Sequence, residues 1–304
     1  MDSELKEVLR TEKLHHEKGD SGAPFFIGYR QKRTEENKTE SLFYTEFAEI
    51  PQNIDSVKKE SEDFKLFLEK TGFSPDLMEV SEKTILDAGC GAGRFAKFVA
   101  PKAQTLIALD AGDHIQLCRK NLSEYNNCVF VQADIKDMPI KDNCLDIIYS
   151  IGVIHHTGDM PVCMKEFYRI LKPGGYLLVW VYPPEYYGNI LQKAAFFAFR
   201  FFLKYLSIKS KLHLTQKVLF PLGRLQMKLA SNAFLKTVFS PLFLIRIPRH
   251  EDTNEMKATI MDYFMPPFIE VSTDLRLKKL SEAAGFEYHM LPIPTSAKCI
   301  KPMR

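Results

Sequence analysis

"ILDAGCGAGRF", residues 85–95, sets three glycines at alternate positions, Gly89, Gly91 and Gly93, directly behind an apolar run and an acid, Asp87. Glycine loses more conformational freedom on ordering than any other residue, so three in five positions need a backbone reason. An apolar run, a glycine turn and a helical pattern mark a strand-to-helix join. There the backbone can approach a ligand without side chains, and the helix start offers unpaired N–H groups. The dinucleotide fingerprint G-x-G-x-x-G/A fails, because the sixth position counted from Gly89 is Arg94. What stands here is D-x-G-x-G-x-G, and a carboxylate at that place suits a ligand with an amino group near the turn.

Outward from the turn, short β-branched or apolar runs recur at 84–88, 105–110, 128–133, 145–150 and 176–182. Helical patterns at 93–100, 113–124 and 160–171 separate them. This alternation predicts βαβ units and a parallel sheet, with ligands bound at the carboxyl ends of the strands. The tail reads as a helix ending at Gly285 followed by two short strands. Residues 1–80 are polar and read as a helical arm with a loop at 18–26.

The chain has 304 residues, 45% hydrophobic and 26% charged, the balance of a globular protein with a sizeable core. Its six cysteines, at 90, 118, 128, 144, 163 and 299, form no C-x-x-C pair. That argues against a zinc site or a disulfide framework and for reduced thiols, so a cytoplasmic location is expected and no metal. The N-terminus carries charge and no apolar signal core, and no run of 18 apolar residues predicts a spanning helix.

The ordered motifs "LDAGCGAGRF", "ALD", "VQADIKDMPI", "LDIIYSIGVIHHT" and "RILKPGGYLLVWVY" together resemble those of the class I S-adenosylmethionine-dependent methyltransferases. The resemblance is strong over about residues 62–183 and weaker over 262–287. It implies a doubly wound, Rossmann-like α/β sheet and S-adenosylmethionine as cofactor. Asp87 and the Gly89–Gly93 turn, with Cys90 and Gly91, would border the methionine part. Asp110, followed by Ala111, would accept the ribose hydroxyls. Asp134 would accept the adenine amino group, with Ile135 beside the ring. Asp110 also reads as a surface turn, Asp134 as a helix N-cap, and Cys90 as a small packing residue rather than a nucleophile. Arg94 fits either a carboxylate contact or a solvated helix start.

Ser150 to His156 follow the fourth strand and should line the methyl-transfer end. Methylases of base or amide nitrogen commonly carry [DNS]-P-P-[YF] there; this chain has S-I-G-V, which lowers that class. His155 or His156 could act as a base on a hydroxyl; the alternative is that both orient the loop. The expected acceptor is a small or lipid-like molecule. A protein or RNA acceptor, or a silent cofactor-binding module, is the alternative.

Residues 186–250 break the rhythm. They hold eleven bases and no acid, which, from a chain net of +3, leaves −8 on the rest. Wound as a helix, 189–206 puts Lys193, Arg200 and Lys204, with Lys211 beyond, on one narrow stripe, and gives most of the remaining surface to aromatic residues. A helix that apolar must be buried against something. A cap over the acceptor pocket, a peripheral membrane contact through 189–211, and a dimer interface are all open, with the cap preferred. No nucleic-acid partner is expected, and the oligomeric state is not legible. The expected organisation is a helical arm (1–80), an α/β core (81–185), a basic apolar insertion (186–260) and a C-terminal completion of the sheet (261–304).

Overall fold

The computed structural model describes residues 7–17, 24–28, 61–232, 245, 247–248, 250, 252–266 and 268–303. The described residues fall into two compact units: one runs up to Pro183 and resumes at Glu270, the other spans Pro184 to Ile269.

The first unit is built on a nine-stranded sheet: β1 (Leu14–Glu17), β2 (Phe25–Gly28), β3 (Thr84–Ala88), β4 (Thr105–Asp110), β5 (Cys128–Gln132), β6 (Leu145–Ile151), β7 (Leu171–Trp180), β8 (Glu287–Met290) and β9 (Ser296–Ile300). Its order is β1-β2-β5-β4-β3-β6-β7-β9-β8. Strands β2 to β7 pair in parallel, and β1, β9 and β8 join antiparallel. The helices are α1 (Glu62–Thr71), α2 (Ala96–Val99), α3 (Ile115–Asn121), α4 (Met160–Ile170) and, near the end, α9 (Asp274–Ala284).

The parallel strands are apolar on both sides because both faces are covered. Leu86, Ala88, Ile107, Leu109, Val129 and Val131 pack with Met160, Met164 and Phe167 of α4. The alternate residues Ile85, Leu106, Ala108, Phe130, Ile147 and Tyr149 pack with Phe64 and Phe67 of α1 and Ile115 and Cys118 of α3. The chain winds outward in both directions from β3, so the order reverses between β3 and β6. In such sheets the crevice at that reversal is where ligands sit.

The core elements agree with the sequence reading apart from their ends. α3 is shorter than 113–124, and β7 starts at Leu171 rather than at 176, carrying Pro173, Gly174 and Gly175. Gly285 ends α9 in the left-handed region at φ 102°. The N-terminal reading needs correction: Leu14–Glu17 and Phe25–Gly28 are strands, not parts of a helical arm, and Phe25 and Phe26 lie in β2 rather than in a loop. β2 pairs with β5, where the Phe130 N–H donates to Pro24 O at 3.0 Å. Of the expected loop at 18–26, residues 18–23 lie outside the described residues.

The second unit holds α5 (Ile190–Leu203), α6 (Ile208–Leu214), a π-helical turn (Thr215–Leu219) that runs into α7 (Phe220–Ala230), and α8 (Thr253–Phe264). A capping box starts α5: the Asn189 side chain accepts from the Gln192 N–H, and the Gln192 side chain from the Asn189 N–H.

Candidate functional site

The turn after β3 adopts left-handed backbone at each glycine, with φ of 91° at Gly89, 54° at Gly91 and 90° at Gly93. Two of the three also have packing reasons. A Cβ on Gly89 would overlap the Val153 side chain, and one on Gly93 would lie 2.9 Å from Cys118 Sγ. The turn is therefore squeezed between the loop after β6 and helix α3, not only opened toward a ligand. Cys90 is buried, and burial together with the neighbouring Cys118 pushes its thiol well above the ordinary range. It is a packing residue with no nucleophilic character.

The turn is fastened to the end of β4. Gly89 and Cys90 N–H groups donate to Leu109 O at 2.8 and 3.1 Å. The Gly91 N–H donates to Asp110 Oδ2 at 3.0 Å. Asp110 Oδ1 accepts the Gly112 N–H at 3.0 Å and lies 2.7 Å from His114 Nε2. Burial by itself would raise the Asp110 carboxyl. The His114 charge and hydrogen bond, with the Gly112 and Gly91 N–H groups, outweigh burial and hold it below its ordinary value. His114 was not singled out from the sequence. Its signal was its place four residues after Asp110 at a helix start.

Asp87 behaves in the opposite way. It is the penultimate residue of β3, at 4% exposure, and its Oδ2 has no hydrogen-bond partner in the protein. Burial pushes its carboxyl up to about 8, against the lowering effect of the Tyr149 hydroxyl, and the Asp110 charge adds to the rise. A buried carboxylate oxygen without a partner costs free energy, and a ligand amino group beside it would repay that cost. Two acids at one sheet edge thus have separated tasks: Asp110 stays ionised, and Asp87 waits for a cation.

The remaining sequence-derived residues fall near the same edge. Asp134 caps the short helical turn at Ile135–Asp137, its Oδ1 accepting the Lys136 N–H at 2.8 Å, and Ile135 is buried. Ala111 is half-buried and offers its carbonyl to Gln132 Nε2. Ser150 is fully buried and donates its hydroxyl to Ala88 O at 2.9 Å, tying β6 to β3. Arg94 makes a carboxylate contact, 3.5 Å from Asp63 of α1, and lies over the Phe95 ring.

His155 and His156 stack at 4.1 Å between ring centroids, and Tyr182 lies 4.1 Å from His155. His155 is wholly buried with neither ring nitrogen hydrogen-bonded in the protein, while its carbonyl accepts the Glu270 N–H. Burial, then His156 and Lys70, hold its pKa well below the ordinary value, so it is neutral at physiological pH. Lys70, from α1, is also buried, with its ammonium 3.4 Å from the Trp180 ring centroid. Sequence reading missed Lys70 because nothing in a polar N-terminal helix distinguishes one inward lysine.

Comparison with known proteins agrees with this geometry. Residues 86–179 match the model of the methyltransferase domain family. The matched stretch of the α/β unit is a methyltransferase domain of the class I type, and its cofactor is S-adenosylmethionine. The chain is 32% identical over 95 residues to malonyl-[acyl-carrier protein] O-methyltransferase of Serratia marcescens, covering 31% of this chain and 36% of that protein. It is 34% identical over 112 residues to cycloartenol-C-24-methyltransferase 1 of rice, Oryza sativa subsp. japonica, covering 34% and 33%. The YcgJ protein of Bacillus subtilis superposes with a TM-score of 0.45 at 18% identity, over 75% of this chain and 69% of that one. The chain spans about a third of the length of the curated relatives it matches.

Proposed function

We propose that the protein transfers a methyl group from S-adenosylmethionine to a small-molecule or lipid-like acceptor. The observation that carries this is Asp87: a buried carboxylate oxygen without a partner, beside a glycine turn whose N–H groups are fastened to β4. The cofactor supplies a methyl already activated on a sulfonium. Asp87, with Gly89 to Gly93, would hold its amino end, Asp110 and Ala111 the ribose, and Asp134 and Ile135 the adenine. A carboxylate offers about four lone-pair sites, and three of those on Asp110 are already taken by Gly91, Gly112 and His114. A ribose diol that donates once to each oxygen must therefore displace a partner from Oδ1, either the Gly112 N–H or the His114 imidazole.

At the acceptor end, Ser150, His155 and His156 would line the site. A neutral His155 can accept a proton from an acceptor hydroxyl. Holding the acceptor in line is the larger contribution, since orientation alone is worth about 7–11 kcal/mol. The relatives named above act on an acyl-carrier-protein-bound malonyl group and on a sterol, which favours a lipid-like acceptor here. In this reading the protein works in the cytoplasm and touches a membrane surface through 189–211. Titration calorimetry tests the cofactor half: S-adenosylhomocysteine should bind at micromolar concentration and NAD should give no heat. Binding of NAD instead would overturn the reading.

A further inference from the structure

We propose that α5 docks the protein on an anionic lipid bilayer, with Phe197, Phe201, Phe202 and Tyr205 seated at the boundary between headgroups and acyl chains. This deepens the membrane part of the reading above and rests on it for its purpose, while its test is read apart from the cofactor.

The argument starts from which side of the helix is used inside its own unit. Phe196 and Leu203 are buried, and Phe196 packs on Tyr187, Tyr263 and Phe264. Arg200 lies on the same side, its guanidinium donating to the carbonyls of Tyr263, Phe264 and Pro266 at 3.4, 3.2 and 2.6 Å. Lys211 donates to Met265 O at 3.1 Å. These carbonyls close the C-terminal end of α8, the negative end of its dipole, so both cations are consumed there. Two members of the cationic stripe read from the sequence therefore face inward, not toward solvent.

The aromatic row faces outward instead. Ile190, Phe197, Phe201 and Tyr205 repeat at helical spacing, with Phe202 beside them; Ile190 is 86%, Phe202 68% and Tyr205 70% exposed. Exposed apolar residues scattered singly need no explanation, but a continuous row does. Lys204 lies over the Phe201 and Tyr205 rings at 4.2 and 4.9 Å, so its charge belongs to this face. Next to it, Leu206, Lys209, Ser210, His213, Leu214 and Val218 line a mainly apolar hollow of about 450 Å³. No acid occurs between Glu185 and Glu251 to neutralise Lys204, Lys209 or Lys217.

Charge selects the occupant. A second copy would bring Lys204 and Lys209 against their own like, with no carboxylate within 186–250 to receive them. A bilayer bearing anionic headgroups receives both the lysines and the rings. At 14 residues α5 is about 21 Å long, too short to cross a bilayer, and no helix among the described residues is long and apolar enough to do so. It lies in the plane of the interface, as helices with an aromatic face and a cationic flank do.

The test is co-sedimentation of the full chain with phosphatidylcholine vesicles, with and without phosphatidylserine, at low and high salt. The expected result is at least about tenfold stronger binding to the anionic vesicles, weakened by salt, since each basic residue near such a surface is worth about fivefold. Phe201→Ser with Phe202→Ser should abolish it, and Lys204→Glu with Lys209→Glu should lower it at least about tenfold. All four side chains are exposed, and an unchanged helical circular dichroism signal and thermal midpoint in each variant show that the second unit is still folded. Absence of vesicle binding in the wild type overturns the proposal. So does binding that survives the Phe201/Phe202 change, or a dimer in gel filtration that this change dissolves. Vesicle binding without S-adenosylhomocysteine binding would sink the methyl-transfer reading and leave the docking one standing.

Discussion

In the α/β unit the large rings are inside: Phe25, Phe26, Phe67, Phe130 and Phe167 are all buried below 2% exposure. In the unit spanning 184–269, Phe197, Phe201 and Phe202 are about half exposed or more, while Lys211 is among the buried residues. Each unit buries charge, but for different reasons. The first sets Asp87 and Asp110 at the carboxyl edge of a sheet, one with an oxygen left without a partner and the other supplied with three partners. The second uses Arg200 and Lys211 to close the end of α8 and turns its aromatic row outward. A buried polar atom without a partner, and apolar surface without a cover, mark places where another molecule completes the structure.

Changes in the α/β unit should therefore disturb cofactor binding, and changes in the second unit should leave it alone. The largest effect is expected from Gly89→Ala. Overpacking against Val153 costs about 1–3 kcal/mol and a left-handed alanine about 1–2 kcal/mol. Chemical denaturation should show both, and calorimetry should show loss of S-adenosylhomocysteine binding. Adding Val153→Ala should recover the packing part alone. If Gly89→Ala binds normally, the turn is not part of the site.

Next comes Arg200→Ala, which strips a charged donor from three carbonyls. Bonds to charged groups are worth about 1.5–3 kcal/mol, so the thermal midpoint should fall while cofactor affinity holds. A simultaneous fall in affinity would break the division of labour between the units.

Asp110→Ala should weaken S-adenosylhomocysteine at least about tenfold, from loss of a charged acceptor for the ribose. His114→Ala sharpens this: if the ribose must displace the imidazole, affinity should rise. An unchanged dissociation constant in both variants would remove Asp110 from the site.

The subtlest readout is a proton. Asp87, raised to about 8, is largely protonated in the folded chain at pH 7 and ionised in the unfolded one. The folded state thus holds the extra proton, and stability without cofactor should fall as pH rises from the ordinary carboxylate value toward about 8. A cofactor ammonium beside Asp87 would drive that proton off. Calorimetry in buffers of different ionisation enthalpy should detect close to one proton released at pH 7, and none in Asp87→Asn. Equal release from both would assign the proton elsewhere.

How much of this the sequence carried depends on range. The glycine turn, the five core strands and the helix ending at Gly285 were legible because each rests on local chemistry: periodicity, a left-handed glycine, an acid at a strand end. β1 and β2 were not, because "LHHE" and "FFIG" are four residues each: β2 becomes a strand against β5, a hundred residues on, and β1 only against β2. The separation of Asp87 from Asp110 was also out of reach, since it depends on burial and on His114. The cationic stripe of α5 was read correctly as a pattern and incorrectly as a surface. Periodicity says which residues share a face, but not that α8 ends where Arg200 and Lys211 can reach it.

The pairing of β2 along β5 sets a limit on how far the chain can be shortened. Strand β5, "CVFVQ", is buried along its whole length, and its outer edge is occupied by β2. A protein begun at residue 61 would keep every residue of the glycine turn and both edge acids. It would also present a row of unpaired N–H and C=O groups on an apolar strand, a ready template for joining chain to chain. The segment that looks most dispensable in the sequence would then decide whether the α/β unit stays in solution or comes down as a precipitate.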